Sequence, residues 1–530
     1  MQICDAILAL KFCNLVHNSV DGPQTVPLRL CSLGFASGTM GEIPLNQSSV
    51  QQVAPEVSRR PLCVDLDGTL VKSDTLMDSL LLLVRSRPLA ALQLPFWVLR
   101  GKAAFKAEVG ARVSLDVRHL PYNRSVIEYL EIERGEGRKL YLATGADQQL
   151  AARIADHLGL FDGVLASDGK TNLTAGNKLD GLRKTFGDEG YDYIGNAGPD
   201  LPLLQHAGAA MIANPAPALR ARLRSRGVAV DREFRDRIAP AKAALKAIRL
   251  HQWAKNVLIF LPMLLAHVLR TSVFGDAAIA FVSFSLCASS TYIANDLLDI
   301  ESDRRHPTKR ARPFASGDLS VMTGVLLSVA FLAGGVAIAA AFLPRGFLLW
   351  MFLYLVATLS YSLVLKRIVL VDVIMLAGLY TVRMLAGASA TRVDISPWLA
   401  AFSVFLFLSL AMVKRFSELQ NARARGQALA NGRGYLLGDI EQLRSFGTSS
   451  AYTAIAVFLF YIHAQEVSSL YIHSNRLWLI APLMIFWLSR VWLLASRGQL
   501  DEDPVIFAVT DPLSLLTGLA VAAIAALAAL

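Results

Sequence analysis

The stretch "TYIANDLLDIESDRRHPTKRARPFASGDL", Thr291 to Leu319, sets four aspartates and one glutamate beside five lysine and arginine side chains. Apolar runs flank it: "AAIAFVSFSLCASS" ends at Ser290 and "VMTGVLLSVAFLAGGVAIAAAF" begins at Val321. A bilayer core is crossed by ~20 apolar residues in a helix, so this charge lies at a membrane surface, between two spans. Working outward predicts nine spans, at about 250–269, 274–294, 321–343, 346–364, 368–388, 396–413, 448–468, 475–495 and 512–530. The first is interrupted by Lys255, and Pro262 would kink it.

Loops 295–320, 365–367, 414–447 and 496–511 hold 14 Lys and Arg against 4 (Arg270, Arg345, Arg392 and Arg476) at the opposite ends. That asymmetry assigns the basic loops to the cytoplasmic side of the cell membrane, with the C-terminus outside. The whole chain has 530 residues, 54% of them hydrophobic, a formal net charge of +10 and a mean hydropathy of +0.43. Because the basic residues of the second half sit beside apolar spans, the charge points to topology, anionic lipid or phosphate ligands rather than to nucleic acid.

Residues 1–245 are mixed and charged. The first 60 read as a disordered leader, with translation expected to begin near Met40, and three of the five cysteines (Cys4, Cys13, Cys31) fall there. Neither these nor Cys63 and Cys287 have metal-ligand or disulfide-framework spacing. Short apolar runs at 62–66, 139–144, 163–167, 191–195 and 209–214 alternate with helical segments, the signature of a parallel α/β sheet over 61–230. Ligands of such sheets bind beyond the carboxyl ends of the strands, and the polar residues collect there. Asp65 and Asp67 lie in "DLDGTL", Thr144 in "LATGAD", Lys178 in "NKLDGL", and Asn196 and Asp200 in "IGNAGPDLPLL". Two carboxylates one residue apart suit a nucleophile beside a general acid. Residues 231–249, "DREFRDRIAPAKAALKAIR", read as a basic amphipathic linker on the membrane surface.

These four motifs, in this order, resemble the haloacid dehalogenase superfamily. The resemblance implies a Rossmann-like domain with a helical cap in the ~70 residues between the first two motifs. It makes Asp65 the phosphoryl acceptor and Asp67 the acid/base, has Thr144 and Lys178 hold phosphate, and has Asp65 and Asp200 help bind Mg²⁺. Asn196 stands where the family has an aspartate, and a neutral amide there weakens the metal shell. A retained phosphatase and a structural or regulatory remnant both stay open.

In the opening stretch, a continuing helix would bring Asp296, Asp299 and Asp303 to one face. Three carboxylates there repel each other unless a cation joins them, and Mg²⁺ bound to a diphosphate does so. The bases that follow include Arg310 and Arg312, and arginine grips phosphate bidentately. Tyr361, Lys366, Arg367, Lys414, Arg415 and Glu418 line the same side, and Arg383 inside the fifth span should face the bundle interior. The Asn295-Asp296-x-x-Asp299-x-x-x-Asp303 motif and the spans resemble the UbiA superfamily of intramembrane transferases over about 245–530. The second aspartate-rich motif of its aromatic prenyltransferases is missing, and "KRFSELQNARARG" at 414–426 is dominated by cations. With "HQWAKN" and "DRRHPTKRARPFASG", this pattern is most similar to the decaprenyl-phosphate phosphoribosyltransferase branch.

That resemblance implies Mg²⁺-dependent transfer of 5-phosphoribose from phosphoribosyl diphosphate to a polyprenyl phosphate, with Asn295 orienting the donor or the metal shell. Prenyl transfer from a prenyl diphosphate to a small acceptor is the enzymatic alternative, and a transporter or lipid-binding protein the non-enzymatic one. Association into a homo-oligomer stays open.

Overall fold

Leu62, Cys63 and Val64 are fully buried in sequence. Such a run suits a strand covered on both faces, and they form β1 (Leu62–Val64) at the centre of a sheet. The computed structural model describes residues 59–530 apart from 169–170, 425, 427–433, 465–466, 468–469 and 501–502; the leader and the expected start at Met40 lie outside the described residues. Around β1 stand β2 (Leu140–Asp147), β3 (Gly163–Ser167), β4 (Asp192–Gly195), β5 (Ala210–Ala213) and β6 (Arg232–Phe234). All pair in parallel, in the order 3-2-1-4-5-6. The direction of winding reverses between β1 and β4, so the carboxyl ends of those two strands border the ligand crevice.

β6 lies in the stretch predicted as linker. Phe234 buries its ring against the sheet while Arg232 stays exposed, and three mostly charged residues carry too little periodic pattern to read as a strand. Between β1 and β2 the chain is helical, including α1 (Thr75–Ser86) and α2 (Lys102–Arg112). Asp74 caps α1 by accepting from the Leu76 and Met77 amides. α3 (Gly176–Phe186) carries Lys178 on its buried side. α4 (Pro240–Ile248) has the predicted apolar stripe, and Ala243 and Ala247 pack it on Ile293, Leu297 and Phe314.

Among the described residues, eight helices are long and apolar enough to cross a membrane. They are α5 (Thr271–Leu298), α6 (Val321–Phe342), α7 (Arg345–Leu363), α8 (Val371–Thr391), α9 (Pro397–Ala424), α10 (Ile440–His463) with the 3-10 turn that precedes it from Leu437, α11 (Ile480–Ser496) with the 3-10 segment that precedes it from Ser474, and α12 (Pro512–Ala529). The span predicted over 250–269 takes another form: a 3-10 segment, Leu250–Phe260, then a short α-helix, Leu261–Leu265. At one end Lys255 meets Asp503; at the other, Pro262 and Leu265 border a cavity with Asp394 and Pro397. Asp503 and Asp394 belong to loops at opposite ends of the bundle, so the segment traverses it as a broken ninth element. Buried Lys255 and Asn256 inside it need polar partners rather than lipid.

Candidate functional site

At the end of β1, Asp65 is buried and accepts from Lys178 Nζ at 2.7 Å. Lys178 also donates to Tyr193 Oη at 3.0 Å, and Tyr193 donates to Asp200 Oδ1 at 3.0 Å. The second oxygen of Asp200 takes the Asn196 and Ala197 amides. Asp67 accepts from the Thr75 amide at 2.8 Å. Burial pushes Asp65 up to about 6, with Asp200 adding to the rise and Lys178 opposing it. Burial and the Asp74 charge push Asp67 up to about 7. A carboxyl that titrates near neutral pH suits a general acid.

Asp65, Asp67, Lys178, Asn196 and Asp200 border one cavity of about 590 Å³. Thr144 does not: it is fully buried, its hydroxyl accepts the Ala146 amide, and Gly145 lines the cavity instead. Gly68 sits at φ +79°, where a Cβ would fall 2.0 Å from Asn196 Nδ2, so only glycine lets the loop close over that amide. Asn196 Oδ1 is buried without a hydrogen-bond partner. An orphaned hard oxygen beside Asp65 and Asp200 fits Mg²⁺ in donor type. Among the described residues, no group of three acidic, histidine or cysteine side chains is placed to hold a metal ion.

In the membrane domain, a cavity of about 660 Å³ lies among α5, α7, α8, α9 and the broken segment. Of the predicted residues it is bordered by Asn295, Tyr361, Arg383 and Lys414. Arg383 faces the interior, donating to Asn256 Oδ1 at 2.8 Å and Tyr354 Oη at 3.2 Å. Three further charged residues in its wall were not predicted: Arg249, Lys255 and Asp503. Asp503 takes Lys255 and Lys414, each at 2.7 Å, and Tyr380 Oη at 3.1 Å. Burial acts to raise the Asp503 carboxyl, but Lys414 and Lys255 outweigh it and hold it well below the usual carboxylate range.

The three aspartates of the motif do not share a face. α5 ends at Leu298, Asp299 stands at the break, and a new helix runs Ile300–Arg305. Asp296 and Asp303 still converge: Arg312 reaches them at 3.1 and 2.7 Å, and Arg249 also pairs with Asp296 at 2.5 Å. Asp299 turns away to Arg85 of the cap at 2.8 Å and to Lys366 at 3.5 Å. Two carboxylates already sharing one cation fit a divalent ion in donor type, and Asp299 does not join them.

Other predicted residues lie elsewhere. Arg415 is 1% exposed and pairs with Asp372 and Glu418, a buried ionic cluster in the core of α8 and α9. Arg310 and Arg367 are exposed on short 3-10 turns.

The sequence profile of the UbiA prenyltransferase family matches residues 257–516. The protein y4nM of Sinorhizobium fredii is 38% identical over 471 residues, covering 87% of this chain and 90% of that one. Nodulation protein NoeC of Azorhizobium caulinodans is 34% identical over 281 residues, 52% of this chain and 90% of its own. A decaprenyl-phosphate phosphoribosyltransferase of Mycobacterium tuberculosis is 37% identical over 194 residues, 35% of this chain and 63% of that enzyme. With near-complete coverage of two relatives and a profile match over the helical bundle, this integral membrane chain belongs to the UbiA prenyltransferase family.

Proposed function

We propose that the membrane domain transfers 5-phosphoribose from phosphoribosyl diphosphate to a polyprenyl phosphate at the cytoplasmic face. One observation carries this reading: four cations, Arg249, Lys255, Arg383 and Lys414, border the cavity against the single carboxylate of Asp503. Two polyanionic substrates, one bearing an additional 5-phosphate, call for such a surplus of positive charge. The bond from ribose C1 to the diphosphate oxygen breaks, C1 gains oxocarbenium character, and a polyprenyl phosphate oxygen forms the new bond. That oxygen is already an anion, so positioning and charge carry the reaction without a strong base. Lys255 and Lys414 grip phosphate, Asp503 holds both ammonium groups in place, and Asn295 and Tyr361 orient the donor. Asp296 and Asp303 would hold Mg²⁺, as would Asp65, Asp200 and Asn196 in the α/β domain; when bound, it neutralises phosphate charge at each site.

The α/β domain then removes the 5-phosphate. An Asp65 oxygen attacks phosphorus, the ester P–O bond breaks, and Asp67 gives its proton to the departing ribose oxygen. Water, deprotonated by Asp67, cleaves the aspartyl phosphate and releases inorganic phosphate. The support is the hydrogen-bonded set Asp65–Lys178–Tyr193–Asp200 beside Asp67, whose carboxyl burial pushes up to about 7.

Prenyl transfer is the rival, favoured by the aromatic wall of Tyr292, Tyr354 and Tyr380. Labelled phosphoribosyl diphosphate and labelled prenyl diphosphate, each given to the purified protein with Mg²⁺, polyprenyl phosphate and a small aromatic acceptor, separate the two. Lipid-linked label from the first donor is expected. Label incorporated into a small acceptor only from the second would overturn the proposal.

A further inference from the structure

The α/β cavity is not closed by its own domain. Phe314, Leu319, Val321 and Met322, all from the membrane domain, line it together with Asp65 and Asp67. The loop that brings them there is clamped. Arg304 pairs with Asp78 at 2.8 Å and donates to Ser73, and Lys72 lies 3.7 Å from Asp318. Gly317, at φ +72°, lets the loop approach so closely that a Cβ would stand 2.7 Å from the Lys72 Cβ. The wall continues into exposed apolar surface: Met322, Leu326 and Val329, at i, i+4 and i+7, form one strip along α6.

The cap repeats the signal. Just after Arg85, which donates to the Leu298 carbonyl at the end of α5, the segment 87–100 exposes Leu89, Leu92, Phe96 and Leu99, each at least 69%. Arg87 and Arg100 flank them. Apolar side chains between basic ones, beside the end of a transmembrane helix, are the composition of an interfacial anchor.

We infer that the α/β site is a composite of both domains, built for a phosphomonoester carried on a membrane-anchored lipid. The phosphate meets Asp65, and the apolar carrier passes along the Leu319–Met322 wall into the bilayer that the cap contacts. The inference rests on the phosphatase reading and adds to that site the membrane-domain wall that receives the lipid carrier. A free sugar phosphate has no group for that wall.

The test uses the full chain in nanodiscs containing phosphatidylglycerol, with inorganic phosphate release as readout. The two probes are farnesyl-phosphoryl 5-phosphoribose and soluble ribose 5-phosphate. Wild type is expected to prefer the lipid-linked probe in kcat/KM. Met322→Glu should cut that preference by ~10-fold or more, the scale of one apolar pocket contact, and Met322→Leu should keep it. Phe96→Glu with Leu99→Glu should raise KM for the lipid-linked probe. Equal use of both probes by wild type, or a preference that Met322→Glu leaves unmoved, would overturn the composite site while the phosphatase reading stands. No release from either probe, or release that survives Asp65→Asn, overturns the phosphatase reading and the inference with it.

Discussion

Arg304 of the membrane domain and Asp78 of the cap helix α1 meet at 2.8 Å with both side chains at most 4% exposed. Ser73 bonds both partners, and Arg304 Nε donates to the Ala315 carbonyl, so the guanidinium is satisfied from two domains at once. Removing one member of a buried pair costs ~3–5 kcal/mol, because the other charge is left without a partner. Arg304→Ala should therefore loosen the docking and expose the α1 amides. Hydrogen exchange of the purified protein would show this as lost protection across Thr75–Ser86, with the double variant Arg304→Met, Asp78→Leu regaining it. Unchanged protection in Arg304→Ala would show that the pair does not hold the domains together.

Asn196 offers a gain rather than a loss. Its orphaned oxygen beside Asp65 and Asp200 is a neutral donor where a carboxylate would bind a hard cation more tightly. Asn196→Asp should lower the Mg²⁺ concentration for half-maximal phosphate release by about tenfold, the scale on which changes around a metal act. A Mg²⁺ titration of phosphate release in wild type and variant measures it. An unchanged midpoint would mean that residue 196 does not face the metal.

Asp503 neutralises one of two buried or half-buried lysines, and both border the transferase cavity. A hydrogen bond to a charged group contributes about 1.5–3 kcal/mol, so Lys414→Met should raise the donor KM by ~10–100-fold. Asp503→Ala should do more, lowering kcat and the thermal midpoint together, since Lys255 would stay buried without its partner. Steady-state rates with phosphoribosyl diphosphate, alongside melting curves, distinguish these outcomes. Equal and small effects from both substitutions would remove this cluster from the proposed site.

The positions of Asp65, Asp67 and Lys178 were legible because strand ends and their polar residues are local patterns. Eight of the spans were legible because hydropathy over about twenty residues is local too. What escaped was decided between distant segments. Asp299 leaves the helix face because Arg85, more than two hundred residues earlier, takes its carboxylate. Lys255 read as an interruption of a span until its partner, 248 residues on, appeared. The acidic run "DEDP" at 501–504, set amid basic loops, was the one available hint of Asp503. Arg415 read as a phosphate ligand because its neutralising partner, Asp372, sits on another helix.

Asp511 caps α12, accepting from the Ser514 amide and hydroxyl at 2.8 Å, and takes both terminal nitrogens of Arg490 at 2.7 and 3.0 Å. The Arg490 hydrogen bonds hold its carboxyl down to about 2, against an ordinary 3.8. A group depressed on folding stabilises fully above its unfolded value, and that stabilisation fades as pH falls through the folded one. Asn also caps helices well, so Asp511→Asn removes the charge while keeping the cap. Wild type should melt above the variant at pH 6, and the gap should close between about pH 4 and pH 2. Melting curves of both proteins across that range provide the check. Equal melting of the two proteins at pH 6 would leave the shared cap as the stabilising contact, and Arg490 would then contribute no net charge pairing at the mouth of the last span.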